Sequence, residues 1–171
     1  MKADDIEPVK LESKRSLMVK HVLLRHLNTA YFCKIHIAAF LLQIQHKAQL
    51  EELQEVIESY RVALNKKIKQ LEELFTFLNE HPNETVAAGM KSMTMEALFA
   101  IIKQSGVQFE KELTILNYLQ LVNAIDVTHV RILNKMAKAI GIPKVYLLGT
   151  LSESKANVES LEKLTQKYLT N

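Results

Sequence analysis

Asp126 and His129 stand three residues apart in the stretch Asn-Ala-Ile-Asp-Val-Thr-His at positions 123–129. On a helix, residues at that spacing share a face. An acid-x-x-His pair is half of the ligand set with which four-helix bundles hold a dinuclear metal centre. Two side chains from one helix do not hold a metal against water, so the pair does chemistry only if other helices bring the remaining ligands. The sequence contains no Glu-x-x-His. The plain expectation for Asp126 and His129 is a polar pair at a helix edge. The alternative is a weak, rearranged metal site that draws in Glu96 or Glu153.

Other chemistry-bearing residues are scattered. His21, His26, His36, His46 and His81 have no partner at metal-ligand spacing. Cys33 is the only cysteine, which excludes an intrachain disulfide and a cysteine zinc cluster, and it reads as a small core hydrophobe. Lys66, Lys67 and Lys69 precede Glu72 and Glu73 and read as helix-surface pairs. Met90, Met93 and Met95 read as core filler. Neither a Gly-rich phosphate loop nor a Gly-x-Ser-x-Gly elbow occurs, so no standard nucleotide or hydrolase motif is present.

These residues must be positioned by helices. Only four Gly and three Pro occur in 171 residues, too few turn signals for a many-stranded sheet fold. Residues 1–15 read as a loose polar leader without the apolar core of a signal peptide, and 16–171 as one domain. Apolar residues at helical spacing predict a first helix over about 16–46, with Leu24, Leu27, Tyr31, Ile35, Ala38 and Leu42 inward. A second is expected over 49–79, with Leu53, Ile57, Tyr60, Leu64, Leu71, Leu74 and Leu78. Pro82 ends that run, and 83–91 reads as irregular around Gly89. A short helix follows over 92–104, closed by Gly106. A fourth covers 110–140, with Leu113, Leu116, Leu119, Asn123, Val127, Val130, Leu133 and Ala137 along one side. Gly141 and Pro143 form a stop and restart before a last helix over 144–169. Two antiparallel hairpins joined by a long crossover with a short helix make an all-α, ferritin-like four-helix bundle.

A net charge of +3 with interspersed signs gives no case for nucleic acid. The longest fully apolar runs fall far short of the roughly 18 residues of a membrane span. A cytoplasmic protein without a membrane partner is expected.

Four stretches carry a resemblance to a known family. "QLEELFTFLNEHP" (70–82), "MEAL" (95–98), "MAKAIGI" (136–142) and "LSESKA" (151–156) resemble, in order and spacing, motifs of the YciE/YciF-like bacterial stress-response proteins of ferritin-like fold. The resemblance covers roughly residues 24–165 and implies a stress context. In metal-binding members, ligands come from all four long helices. By that resemblance their positions fall on Lys34, Tyr60, Ala63, Asn123, Asp126 and Ser154, and only Asp126 is a carboxylate.

The resemblance therefore implies a degenerate site with no metal and no cofactor. Lys34 is either a snorkelling surface side chain or an ammonium in the lost metal's place. In the second case it pairs with Asp126, and additional hydrogen bonds between that pair and Tyr60 and Asn123 offset the desolvation. The function expected is non-enzymatic: a stress-associated or scaffold protein, with a homodimer possible. The alternatives are a diiron-type oxidoreductase or iron-handling protein using the rearranged site, and a small-molecule binder using a cavity left at the bundle centre.

Overall fold

The computed structural model describes residues 14–83, 88–103, 107–148 and 151–170, with backbone only for 88–90 and 151–157. Five α-helices follow one another: α1 (Lys14–Ile44), α2 (Glu51–Phe77), α3 (Ala88–Lys103), α4 (Gln108–Ala139) and α5 (Leu151–Thr170). No strand occurs among the described residues. Helix α1 packs on α2, α3 and α4; α4 packs on α5, and α2 also meets α5. The ring α1–α2–α5–α4 is thus a closed four-helix bundle, with α3 lying across α1.

Three helices bury stripes that step alternately by four and three, the spacing of left-handed bundle packing. On α1 the stripe is Leu23, Leu27, Ala30, Lys34, Ile37, Leu41 and Ile44. On α2 it is Leu53, Ile57, Tyr60, Leu64, Lys67, Leu71 and Leu74. On α4 it is Glu112, Leu116, Leu119, Asn123, Asp126, Val130, Leu133 and Ala137. Two apolar clusters result. One gathers around Ile37, Leu41, Ile57, Leu64 and Leu119, the other around Leu27, Leu71, Phe75, Val130 and Leu133.

The expected inward face of α1 is rotated. Ile35 and Leu42 are exposed, and Leu23, Ala30 and Ile37 are buried instead. The reason is that α1 has apolar residues on most of its circumference, because three helices cover it, so several stripes satisfy the same period. By length and composition alone α1 could cross a membrane. Here its apolar surface meets α2, α3 and α4, and its innermost stripe includes a lysine.

Both long helix ends close as Schellman motifs. After α2, Asn79 takes φ 54°, with Asn79 N–H donating to Thr76 O and Glu80 N–H to Phe75 O, each 3.0 Å. After α4, Gly141 takes φ 78°, and Ile142 N–H reaches Ala137 O at 3.0 Å. A residue with a Cβ would be strained at Gly141.

Two boundaries differ from the sequence expectation. Helix α3 begins at Ala88, inside the stretch expected to be irregular, and includes Gly89. One glycine near a helix start costs only about 1 kcal/mol, which the helix formers around it offset. Gly106, its expected stop, lies outside the described residues. The last helix starts at Leu151 rather than at 144. Residues Lys144–Tyr146 make one 3-10 turn, and Asn134 on α4 then holds the chain extended. Its amide accepts from Leu148 N–H (3.0 Å) and donates to Leu148 O (2.8 Å).

Candidate functional site

Halfway along the bundle the stripes of α1, α2 and α4 each turn polar. Lys34 is 1% exposed, Lys67 4% and Asp126 1%. Lys34 Nζ pairs with Asp126 Oδ1. Lys67 Nζ donates to Asp126 Oδ2 at 2.5 Å. One carboxylate from α4 therefore joins two ammonium groups from α1 and α2, one on each oxygen. Burial pushes the Asp126 carboxyl up, but Lys34 and Lys67 prevail and hold it below its ordinary value.

Lys34 thus occupies the core, paired with Asp126, rather than the bundle surface. Asp126 is buried, not at a helix edge. Lys67 corrects the reading of its cluster: Lys66 and Lys69 are exposed, whereas Lys67 fills the stripe between Leu64 and Leu71. The hydrogen bonds expected from Tyr60 and Asn123 are not made. Both residues are buried on the same stripes, but among the described residues the Tyr60 hydroxyl and both polar atoms of the Asn123 amide have no hydrogen-bond partner. Burial, then Asp126, pushes the Tyr60 phenol well above its ordinary value, so it stays protonated.

His129 is half-buried, one turn beyond Asp126. Burial and then Lys34 lower its imidazole to about 4, His26 adding to the shift and Asp126 opposing it. It is therefore neutral at pH 7. The sign for stability follows: the unfolded histidine binds its proton near pH 6.5 and the folded one only near 4, so stability falls as pH drops through that window. Each unit is about 1.4 kcal/mol; discounted for the exposure of His129, the loss is about 2 kcal/mol. His129→Gln is expected to flatten the urea-unfolding free energy between pH 6.5 and 4.5. An unchanged slope would place the dependence elsewhere.

Of the other positions drawn from the sequence, the described ones form no metal-ligand group with this centre. Ala63 is half-buried and offers no donor atom. The side chains of Ser154 and Glu153 lie outside the described residues. Glu96 is exposed on α3, and among the remaining histidines only His26 and His36 are even half-buried. Cys33 is buried beside Lys34, and burial pushes its thiol up. Met93 packs against the core, Met95 is exposed, and the Met90 side chain lies outside the described residues.

A second buried acid anchors one end of the bundle. Leu50, at the start of α2, has no side-chain cap. Glu112 on α4 supplies the carboxylate instead, accepting from the N–H groups of Gln49 (2.8 Å) and Leu50 (3.0 Å). Negative charge there also suits the helix dipole. Gln108 donates to the same oxygen at 3.2 Å, and the Tyr168 hydroxyl near the end of α5 donates to the other. Burial raises the Glu112 carboxyl, but these donors, led by Tyr168, hold it below its ordinary value.

A family described as a domain of unknown function, DUF892, matches residues 18–171. The chain belongs to DUF892. No curated protein matches it. Among solved structures, the stress protein YciF of E. coli superposes with a TM-score of 0.81 at 17% identity, covering 90% of this chain and 98% of that one. YcfI of Rhodopseudomonas palustris, described as a candidate structural protein, gives 0.69 at 17% identity, covering 93% and 98%. The DUF892 chain is thus YciF-like and ferritin-like in fold.

The described residues of this DUF892 chain do not fit the dinuclear metal centre of the metal-binding members that it resembles. Among the described residues, no three of His, Cys, Asp and Glu are grouped to hold a metal. The one carboxylate described at the centre already has an ammonium on each oxygen. At about 4 Å and an effective dielectric of about 20, each ammonium would repel a divalent cation by roughly 8 kcal/mol.

Proposed function

We propose that this DUF892 protein is a non-enzymatic, cytoplasmic, stress-associated helical bundle that acts through its outer surface. Its centre serves as an internal ion-pair network instead of a redox metal site. The observation that carries this reading is the Lys34–Asp126–Lys67 bridge. It puts two positive charges and one engaged carboxylate where metal chemistry needs several free carboxylates. The fold shared with a stress protein agrees with the context.

Helix α3 offers the surface. Met95, Phe99 and Ile102, at helical spacing, are 44%, 51% and 56% exposed. Glu96 and Lys103, seven apart, flank them. A twofold antiparallel pairing of α3 with a second copy sets Phe99 near the axis and Glu96 against Lys103 on both sides. Such an interface is self-complementary, as a closed dimer requires. Sedimentation equilibrium is expected to show a homodimer that Phe99→Glu converts to a monomer with unchanged helicity. A wild-type monomer throughout the micromolar range would remove this surface from the account.

A further inference from the structure

The pairing of two α3 helices places an oxidisable group at its seam. Met95 is exposed on α3, one turn before Phe99 and two turns before Ile102. It lines an open hollow of about 640 Å³ on the outer face of the helix, with Glu96, Phe99 and Lys103. It also lines a smaller hollow of about 100 Å³ against α1, with His36, Phe40 and Leu98. A small solute therefore reaches this side chain in the free chain. The pairing that sets Phe99 near the twofold axis lays Met95 of one copy against Ile102 of the other. Met95 is thus open in the monomer and enclosed in the dimer.

The other described sulfurs differ. Cys33 is buried in the bundle, and burial pushes its thiol up, away from the thiolate form that reacts. Met93 and Met136 are half-buried against the two apolar clusters. Met18 is exposed, but it stands near the start of α1. From there to His36, the α1 residue beside Met95, is roughly 27 Å along the helix. Met18 is therefore an internal control: as open to oxidants as Met95, and remote from the α3 surface.

We propose that Met95 is an oxidation site that sets the assembly state of this protein, its sulfoxide form being monomeric. The inference rests on the α3-paired homodimer. The oxidant is a peroxide. The sulfur lone pair attacks one peroxide oxygen, and the O–O bond breaks. The transferred oxygen gives its proton to the departing hydroxide, so the products are the sulfoxide and water. Sulfur is oxidised by two electrons and the peroxide is reduced. The change turns a flexible apolar side chain into a polar one. Across the seam the new oxygen meets Ile102 and Phe99, whose side chains have no donor, and Lys103 is engaged with Glu96. Burying a polar group without a hydrogen bond is unfavourable, and twofold symmetry counts the penalty twice. At about tenfold per copy, the dimer dissociation constant rises about a hundredfold.

The test is sedimentation equilibrium of the full chain before and after treatment with hydrogen peroxide, with peptide mass mapping of each sample. The expected result is a dimer before treatment and a monomer of unchanged helicity after it, with one oxygen added at Met95. Met95→Leu keeps an apolar side chain of similar volume and is expected to stay dimeric in peroxide. Met18→Leu is expected to respond like the wild type. Met95→Gln puts a polar amide at the seam without any oxidant, and is expected to weaken the dimer. Three results each overturn the switch: a dimer that persists with Met95 oxidised, a Met95 left unoxidised where Met18 is oxidised, and a Met95→Leu dimer that dissociates in peroxide. An untreated wild type that is already monomeric overturns the α3 dimer itself, and the switch with it.

Discussion

Asp126→Asn is expected to destabilise the protein by about 3–5 kcal/mol, since it removes the buried carboxylate that Lys34 and Lys67 share. At roughly 2–4 °C per kcal/mol for a chain of this length, the unfolding midpoint falls by about 6–20 °C. Lys34→Met should cost much less, about 1 kcal/mol or under, because Lys67 still neutralises Asp126 and methionine nearly matches the lysine stem in volume. The contrast comes from counting charges rather than contacts. Replacing all three residues by apolar ones of similar size is expected to be neutral or stabilising.

The same carboxylate sets a pH dependence. The folded Asp126 lies below its ordinary value of 3.8, so its contribution is complete above that value and is lost as pH falls through the lower, folded one. Urea unfolding at pH 7 and at pH 3 measures it. In Asp126→Asn that part of the acid sensitivity should vanish. If Asp126→Asn proved no more costly than Lys34→Met, the carboxylate would not be the keystone of the centre.

Glu112→Ala has the second largest expected effect, about 2–4 kcal/mol, because hydrogen bonds to a buried charged group are worth about 1.5–3 kcal/mol each way of loss. The substitution orphans the Gln49 and Leu50 N–H groups and frees Tyr168. Hydrogen exchange should therefore accelerate at the first turn of α2 and the last turn of α5 together. Glu112→Gln keeps an acceptor oxygen and should cost about half as much. Faster exchange at α2 alone would show that Tyr168 does not tie α5 to this acid.

Much of this was readable in the residues, and the failures have physical causes. The five helices, the ferritin-like order and the stop at Gly141 follow from periodicity and turn chemistry. On α2 the inward residues from Leu53 to Leu74 also match, except that the stripe skips from Leu64 to Leu71. The four-and-three step places Lys67 in that gap, which was the available signal for the second ammonium. It was overridden by the lysines on either side, which do face solvent. Asp126 gave way to Val127 in the expected α4 stripe, and Glu112 to Leu113, because hydrophobicity outranked spacing at polar core positions.

Other misses lay beyond local patterns. The face of α1 was ambiguous because the helix is covered from three sides. The late start of α5 depends on Asn134, fourteen residues from the Leu148 backbone it holds. The capping of α2 by Glu112 spans more than sixty residues. No window along the sequence contains both halves of such contacts.

The central claim is that an ion-pair network stands where a ferritin-like bundle would carry metal. Its most direct test is the metal content of protein purified without a histidine tag, followed by anaerobic titration with ferrous iron. The account predicts negligible iron, manganese and zinc and no saturable uptake. About two tightly bound metal ions per chain, the stoichiometry of a dinuclear site, would contradict it.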